Sequence, residues 1–138
     1  MRHEAEARAI EEVDRRWIAA FNARDVDAIV SLYSENVVVM PPGEPSLHGR
    51  DAVRQWLESF FEGHTAHQEL VNDEVVVAGP WAWMRGHFTL VIEQRDAPGE
   101  IRRQGKHLVI WRRGDDGGWL AARDIWNLDH PLQGTEHE

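Results

Sequence analysis

The chain has 138 residues, with 15 Lys+Arg against 24 Asp+Glu, a formal net charge of -9 and 42% hydrophobic residues. That content can close one core without staples, while 28% charged residues argue against disorder and against a membrane protein. The acidity disfavours nucleic acid or an anionic membrane as partner, because binding to phosphate surfaces draws on Lys and Arg.

In chain order, Ile10, Val13, Trp17 and Phe21 recur at helical spacing and predict an amphipathic helix over about residues 3–23. The first 14 residues contain no apolar run of the kind a signal peptide needs, so a cytoplasmic protein is expected. Asp25 is a good N-cap for a second, shorter helix carrying Val26, Ile29, Val30 and Tyr33 and ending near Ser34. Val37 to Met40 reads as a short buried strand, stopped by Pro41-Pro42-Gly43, which opens a loop to Gly49. A third helix is expected over about 50–62, burying Val53, Trp56, Leu57, Phe60 and Phe61, with Gly63 at its end.

The rest reads as a meander of four long strands, about 66–78, 81–94, 101–113 and 119–128, separated by Gly- and Pro-bearing turns. A polar tail over 133–138 is expected to fray. Three helices followed by such a meander predict one α+β domain, in which the helices cover the concave face of a curved, mainly antiparallel sheet. There is no cysteine, which excludes disulfides, thiol catalysis and zinc-thiolate sites. Seven Trp accompany a single Tyr. Indole rings can line an aromatic cavity, although buried aromatics at these spacings are more often core.

Alternation along the strands suggests what each face carries. Trp83, Arg85 and His87 share one face of their strand, and His107, Val109 and Trp111 of the next and Asp124 and Trp126 of the last are expected to join them under the helices. Met84, Phe88, Leu90, Leu108, Ile110 and Ile125 then fall on the outer face, where their apolarity predicts a homodimer.

Several motifs stand in order along the chain: Trp17-x-x-x-Phe21-Asn22-x-x-Asp25, Ser34-Glu35-Asn36-Val37, Pro41-Pro42 followed by His48-Gly49-Arg50, and Gly118-Trp119 followed by Arg123-Asp124-Ile125-Trp126-Asn127. Over about residues 5–129 the pattern resembles the nuclear transport factor 2-like superfamily, and within it the SnoaL-like and ketosteroid-isomerase-like proteins. The resemblance implies a cone-shaped α+β barrel whose sheet and three helices enclose a pocket, usually in a homodimer. It also implies a departure. Ketosteroid isomerases use a tyrosine, a carboxylate base on the short strand and a protonated aspartate, and those positions here fall at Trp17, at Met40 or Pro41, and at Val109. Steroid isomerisation by that route is therefore not expected. SnoaL-like cyclases and limonene-epoxide-hydrolase-like proteins place acid–base groups on the long strands instead, where Arg85, His87, His107 and Asp124 are the comparable residues.

Chemically, a carboxylate at Asp124 that accepts from one nitrogen of His107 would orient that imidazole as a general base, with Arg85 and His87 polarising the substrate. The plainer alternative is a self-satisfied Arg–Asp pair with histidines hydrogen-bonded to it, or an Asp124 that holds the Asn127 loop. His87, His107 and Asp124 have the composition of a facial metal triad, but the family comparison does not favour a metal, and neither metal nor cofactor is expected. His48 reads as surface decoration. Trp17, Met40, Trp56, Phe60, Trp83, Val109, Trp111 and Trp126 are the candidate lining of a pocket for a small apolar or aromatic molecule. Two functions remain open: acid–base catalysis such as isomerisation, cyclisation, dehydration or epoxide hydrolysis, and a non-catalytic ligand-binding or dimerisation module of the same fold.

Overall fold

The computed structural model describes residues 2–131. Its elements are α1 (Arg2–Asn22), α2 (Val26–Val30), β1 (Tyr33–Met40), β2 (Leu47–His48), α3 (Arg50–Gly63), β3 (His64–Ala78), β4 (Trp81–Gln94), β5 (Glu100–Arg113) and β6 (Trp119–Leu128). The strands form one open sheet in the order β2-β1-β6-β5-β4-β3. Every pairing is antiparallel except β1 with β6. The helices lie on one face, as the α+β reading expects, and the tail at 133–138 lies outside the described residues. Among the described residues, no helix is long and apolar enough to cross a membrane.

Two boundaries differ from the sequence reading. Helix α2 is only five residues long, and Tyr33 opens β1 instead of closing the helix. Val37 and Val39 are buried with Tyr33, so the alternation of a strand replaces the helical spacing. The loop after Pro41-Pro42 also returns as the two-residue strand β2, which pairs with Val38 and Val39.

Three sets of hydrogen bonds place the helices. The Asn22 side chain donates to the Gln68 carbonyl at 3.0 Å and accepts from the Gln68 amide at 2.8 Å, so the end of α1 is fixed to β3. The Asp25 carboxylate accepts from the Ala28 amide and caps α2. Gly49 takes φ +88° at the start of α3, a left-handed conformation that favours glycine, and the next residue, Arg50, donates from Nε to the Tyr33 carbonyl at 2.9 Å. The core beneath is apolar, with Ile10, Ile29, Val37, Val53 and Met84 essentially inaccessible.

Cross-strand pairing divides the inner face into rows. Ala82, Trp111, Ala121 and Tyr33 form the first, and Val75, Met84, Val109, Asp124 and Val39 the second. Asn72, Gly86, His107 and Trp126 make the third, Leu70, Phe88, Gly105 and Leu128 the fourth, and Gln68, Leu90 and Arg103 the fifth. Two glycines in this lattice are required by close approach. A Cβ on Gly105 would stand 2.1 Å from the Asn127 carbonyl oxygen and 2.6 Å from the Phe88 ring, and one on Gly86 would stand 2.1 Å from the Val71 oxygen. Backbone atoms cannot step aside cheaply. Gly105→Ala is therefore expected to cost about 2 kcal/mol and lower the melting temperature by several degrees, whereas Gly63→Ala, which meets nothing within 4 Å, leaves it unchanged. Equal melting temperatures for the two variants would contradict the register described here.

Candidate active site

The inner rows are not filled by the helices. Between α1, α3 and the sheet lies a cavity of about 280 Å3, walled by Trp17, Phe21, Trp56, Phe60 and Trp126 on its aromatic side. These rings pack in sequence, with Trp17 stacked on Phe21 at 5.4 Å, Trp56 stacked on Phe60 at 6.3 Å and Trp126 edge-on to Trp56 at 6.1 Å. A cavity of about 150 Å3 holds benzene, so this one suits a molecule of about two rings. Tyr33, Trp111 and Ala121 form its buried base, while Pro42, Glu44, Trp56 and Arg103, which keep some exposure, lie toward the other end.

Besides Glu44, Gln68 and Arg103, the polar side chains that line this space are Asp14 from α1, Tyr33 from β1, His107 from β5 and Asp124 from β6. Asp14 lies in the apolar stripe of α1, one turn before Trp17, and is buried. Burial raises its carboxyl from 3.8 to about 6, against the opposing effect of a hydrogen bond from Asn72. Asp124 is the only polar member of its row, and burial, with the Asp14 charge adding, brings its carboxyl up to about 7. Tyr33 accepts a hydrogen bond from Trp17 Nε1 at 2.9 Å. Burial first, then the Asp124 charge, pushes its phenol far above the ordinary value, so the hydroxyl stays protonated and its own hydrogen remains to donate. His107 is held below the usual imidazole range, chiefly by burial, and both its ring nitrogens are buried with no hydrogen-bond partner, as is Trp111 Nε1.

This constellation corrects the sequence reading in several places. His107 and Asp124 share the inner face, but they sit in adjacent rows and no hydrogen bond joins them. The phase of β4 is the reverse of the one expected: Met84 pairs with Val109 and Arg85 with Leu108. Trp83, Arg85 and His87 therefore face outward. Arg85 pairs with Glu74, and His87 Nδ1 lies 2.9 Å from an Asp73 carboxylate oxygen. The physical reason is that β4 turns its charged and imidazole-bearing set to water, while Trp81 is covered by the Arg112 guanidinium at 4.5 Å. Met84, Phe88 and Leu90, expected outside, are inside, and Met84 is wholly inaccessible. Met40 pairs with Ile125 on the outer face, and Val39 takes the pocket position instead. Trp17, Trp56, Phe60, Val109, Trp111 and Trp126 do line the cavity, and His48 is exposed.

Two groups escaped the sequence reading. Asp14 carried a signal, as an acid inside the stripe of Ile10, Val13, Trp17 and Phe21; Tyr33 was absorbed into a helix that ends before it. With His87 on the opposite face, the facial triad is dispersed, and among the described residues no three His, Asp or Glu side chains gather as a metal would need.

The sign of the pH dependence follows from the raised carboxyls. The native state holds their protons more tightly than the unfolded chain, so this contribution is complete below about pH 4 and is lost as pH rises through 6 to 7. Asp124→Asn is expected to stabilise the fold by about 4 kcal/mol at pH 8.5, each pK unit being worth about 1.4 kcal/mol, and by only about 1 kcal/mol at pH 4.5. Thermal unfolding at the two pH values checks this, and an equal effect at both would contradict it.

The family model of the SnoaL-like domain matches residues 15–122. Among solved structures, a ketosteroid isomerase-like protein from Erwinia carotovora atroseptica is 25% identical at a TM-score of 0.85, covering 91% of this chain and 98% of that one. A nuclear transport factor 2-like superfamily protein from Salmonella enterica is 13% identical at 0.83, covering 98% and 99%. ActVI-ORFA from Streptomyces coelicolor is 15% identical at 0.75, covering 89% and 96%. No curated protein matches the chain. The helices laid over an open six-stranded sheet and the matched residues lead to one assignment: the chain has the fold of its nuclear transport factor 2-like neighbour and belongs to the SnoaL-like domain family.

Proposed function

We propose that this protein binds a small, largely apolar organic molecule of about two rings in its cone and moves a proton on it. The observation that carries the reading is the pair of carboxyls, Asp14 and Asp124, brought to about 6 and about 7 beside an apolar cavity. Near pH 6.5 the pair holds about one proton, with Asp14 the ionised member and Asp124 the protonated one. Asp14 then removes a proton from carbon beside a carbonyl. The C–H electron pair moves into the new C=C bond and the carbonyl oxygen becomes an enolate, which takes hydrogen bonds from Tyr33 and protonated Asp124. Returning the proton to the same or another carbon restores the carboxylate, and this half-reaction is common to isomerisation, aldol-type cyclisation and dehydration. His107, neutral near pH 7 with a free N–H and a free lone pair, stands one row from Asp124 as a second donor or relay. An open cavity with unpartnered His107 favours catalysis over a module whose cone is filled by Trp rings.

Exchange of the α-hydrogens of 2-tetralone in D2O, followed by proton NMR, tests the reading. The protein is expected to accelerate exchange over buffer, and Asp124→Asn or Asp14→Asn to lose about 10²-fold to 10⁴-fold of that acceleration while the fold survives. Exchange at the buffer rate with tetralone bound contradicts it.

The outer face supports a homodimer. Among the described residues, Val71, Val76, Trp81, Trp83, Leu108 and Ile125 are the exposed large hydrophobic ones, and strand pairing puts all of them on that one face. Such a patch calls for a partner, and a second copy of the same sheet satisfies it. Light scattering is expected to give a dimer for the native chain and a monomer for Leu108→Glu/Ile125→Glu; a native monomer at 100 μM would contradict the proposal.

A further inference from the structure

The cavity is not symmetrical in charge. Its base holds the two carboxyls, while the fifth inner row carries Arg103, opposite Leu90 on β4. Alternation makes this position face the helices, and the neighbouring lining residues Leu90, Ile92 and Leu128 are apolar, so apart from neutral Gln68 in the same row the cation stands in an apolar surface. Arg103 has no ion pair or hydrogen bond among the described residues. Other inward or groove-bound arginines are engaged: Arg50 donates to the Tyr33 carbonyl, Arg95 to the Phe61 carbonyl, and Arg113 pairs with Glu6. The other charged group at this end, Glu44, accepts from Trp56 Nε1 at 3.1 Å and is thereby held to the aromatic wall. Arginine is always cationic and presents a planar fork suited to a carboxylate.

We propose that Arg103 is the specificity-determining residue at the open end of the cone, and that the ligand carries a carboxylate there. This rests on the proton-transfer reading above and adds an orientation to it. A ligand anion placed at the base would meet Asp14 and Asp124, so the anionic end points outward to Arg103 and the reacting end goes down to Tyr33. Six residues separate Arg103 from Val109, the strand partner of Asp124. At about 3.4 Å per residue the two backbone positions are about 20 Å apart, an upper bound on the gap left between the Arg103 and Asp124 side chains, both of which enter the same cavity. The same polarity makes the chain select among apolar molecules despite its net charge of -9, since a free acid gains its only matched cation inside the cavity.

The test uses 4′-hydroxybiphenyl-4-carboxylate and its carboxamide, which differ in charge at one end alone, titrated calorimetrically into the native chain, Arg103→Met and Arg103→Lys. The acid is expected to bind the native chain about tenfold more tightly than the amide, with the difference shrinking at 0.5 M NaCl. Arg103→Met removes the preference with amide affinity unchanged within twofold, and Arg103→Lys keeps part of it. Retained amide binding certifies that the variants are folded. Equal binding of acid and amide to the native chain, or a preference that survives Arg103→Met, overturns the role of Arg103 and leaves the cavity reading standing. Binding of neither compound overturns both.

Discussion

Strands of fourteen residues, such as β4 and β5, run for about 47 Å, while the 21 residues of α1 make a helix of about 31 Å. Three helices, one of them five residues long, cannot cover the inner face of such a sheet. The part they do cover, where Ile10, Ile29, Val37, Val53 and Met84 meet, is a close-packed core. The part they leave is the cavity. Everything chemical about the molecule follows from that mismatch, because side chains that would be core in a fuller fold are presented to an enclosed space.

Within that space, charge is expensive. Two carboxyls in an apolar cone keep their protons into the neutral range instead of losing them near pH 4. The same burial that makes Asp14 and Asp124 useful as proton carriers costs stability when they ionise, which is the usual tension between a site and its scaffold. The structure holds its polar groups by rigid supports: Trp17 to Tyr33, Arg50 to the Tyr33 backbone, and Asn22 to the edge of β3. These bonds run between elements that are far apart in the chain: the two at Tyr33 fix the base of the cone, and the one from Asn22 ties the end of α1 to Gln68 in the fifth row.

The element order, the mainly antiparallel α+β sheet and most of the aromatic wall were legible because periodicity reports burial directly: Trp17 and Phe21 on a 3.6-residue repeat, Val109 and Trp111 on a two-residue one; that the sheet stays open was not. The phase of β4 was not. Both of its alternating sets contain large apolar residues, so composition alone could not say whether Trp83 or Met84 faces the helices. The pairing of Arg85 with Leu108 decides it, and that is a tertiary fact. A bulge in β3 between Asn72 and Glu74 adds to the problem, since one extra residue reverses the alternation beyond it and puts Asp73 and Glu74 beside Arg85 and His87. Asp14 was within reach as an acid in an apolar stripe. Tyr33 was not, because the chain leaves α2 after five residues and Ile29, Val30 and Tyr33 keep helical spacing across the break.

The proposed chemistry depends on two aspartates in the cone that share protons near neutral pH. Carbon-13 NMR of the aspartate side-chain carboxyls, titrated from pH 3 to 9 and assigned with Asp14→Asn and Asp124→Asn, reads that sharing directly. Two resonances are expected to titrate together with midpoints near 6 and 7, each shifting when the other residue is replaced. Two carboxyls that both titrate below about 4.5, near the ordinary aspartate value, would contradict it.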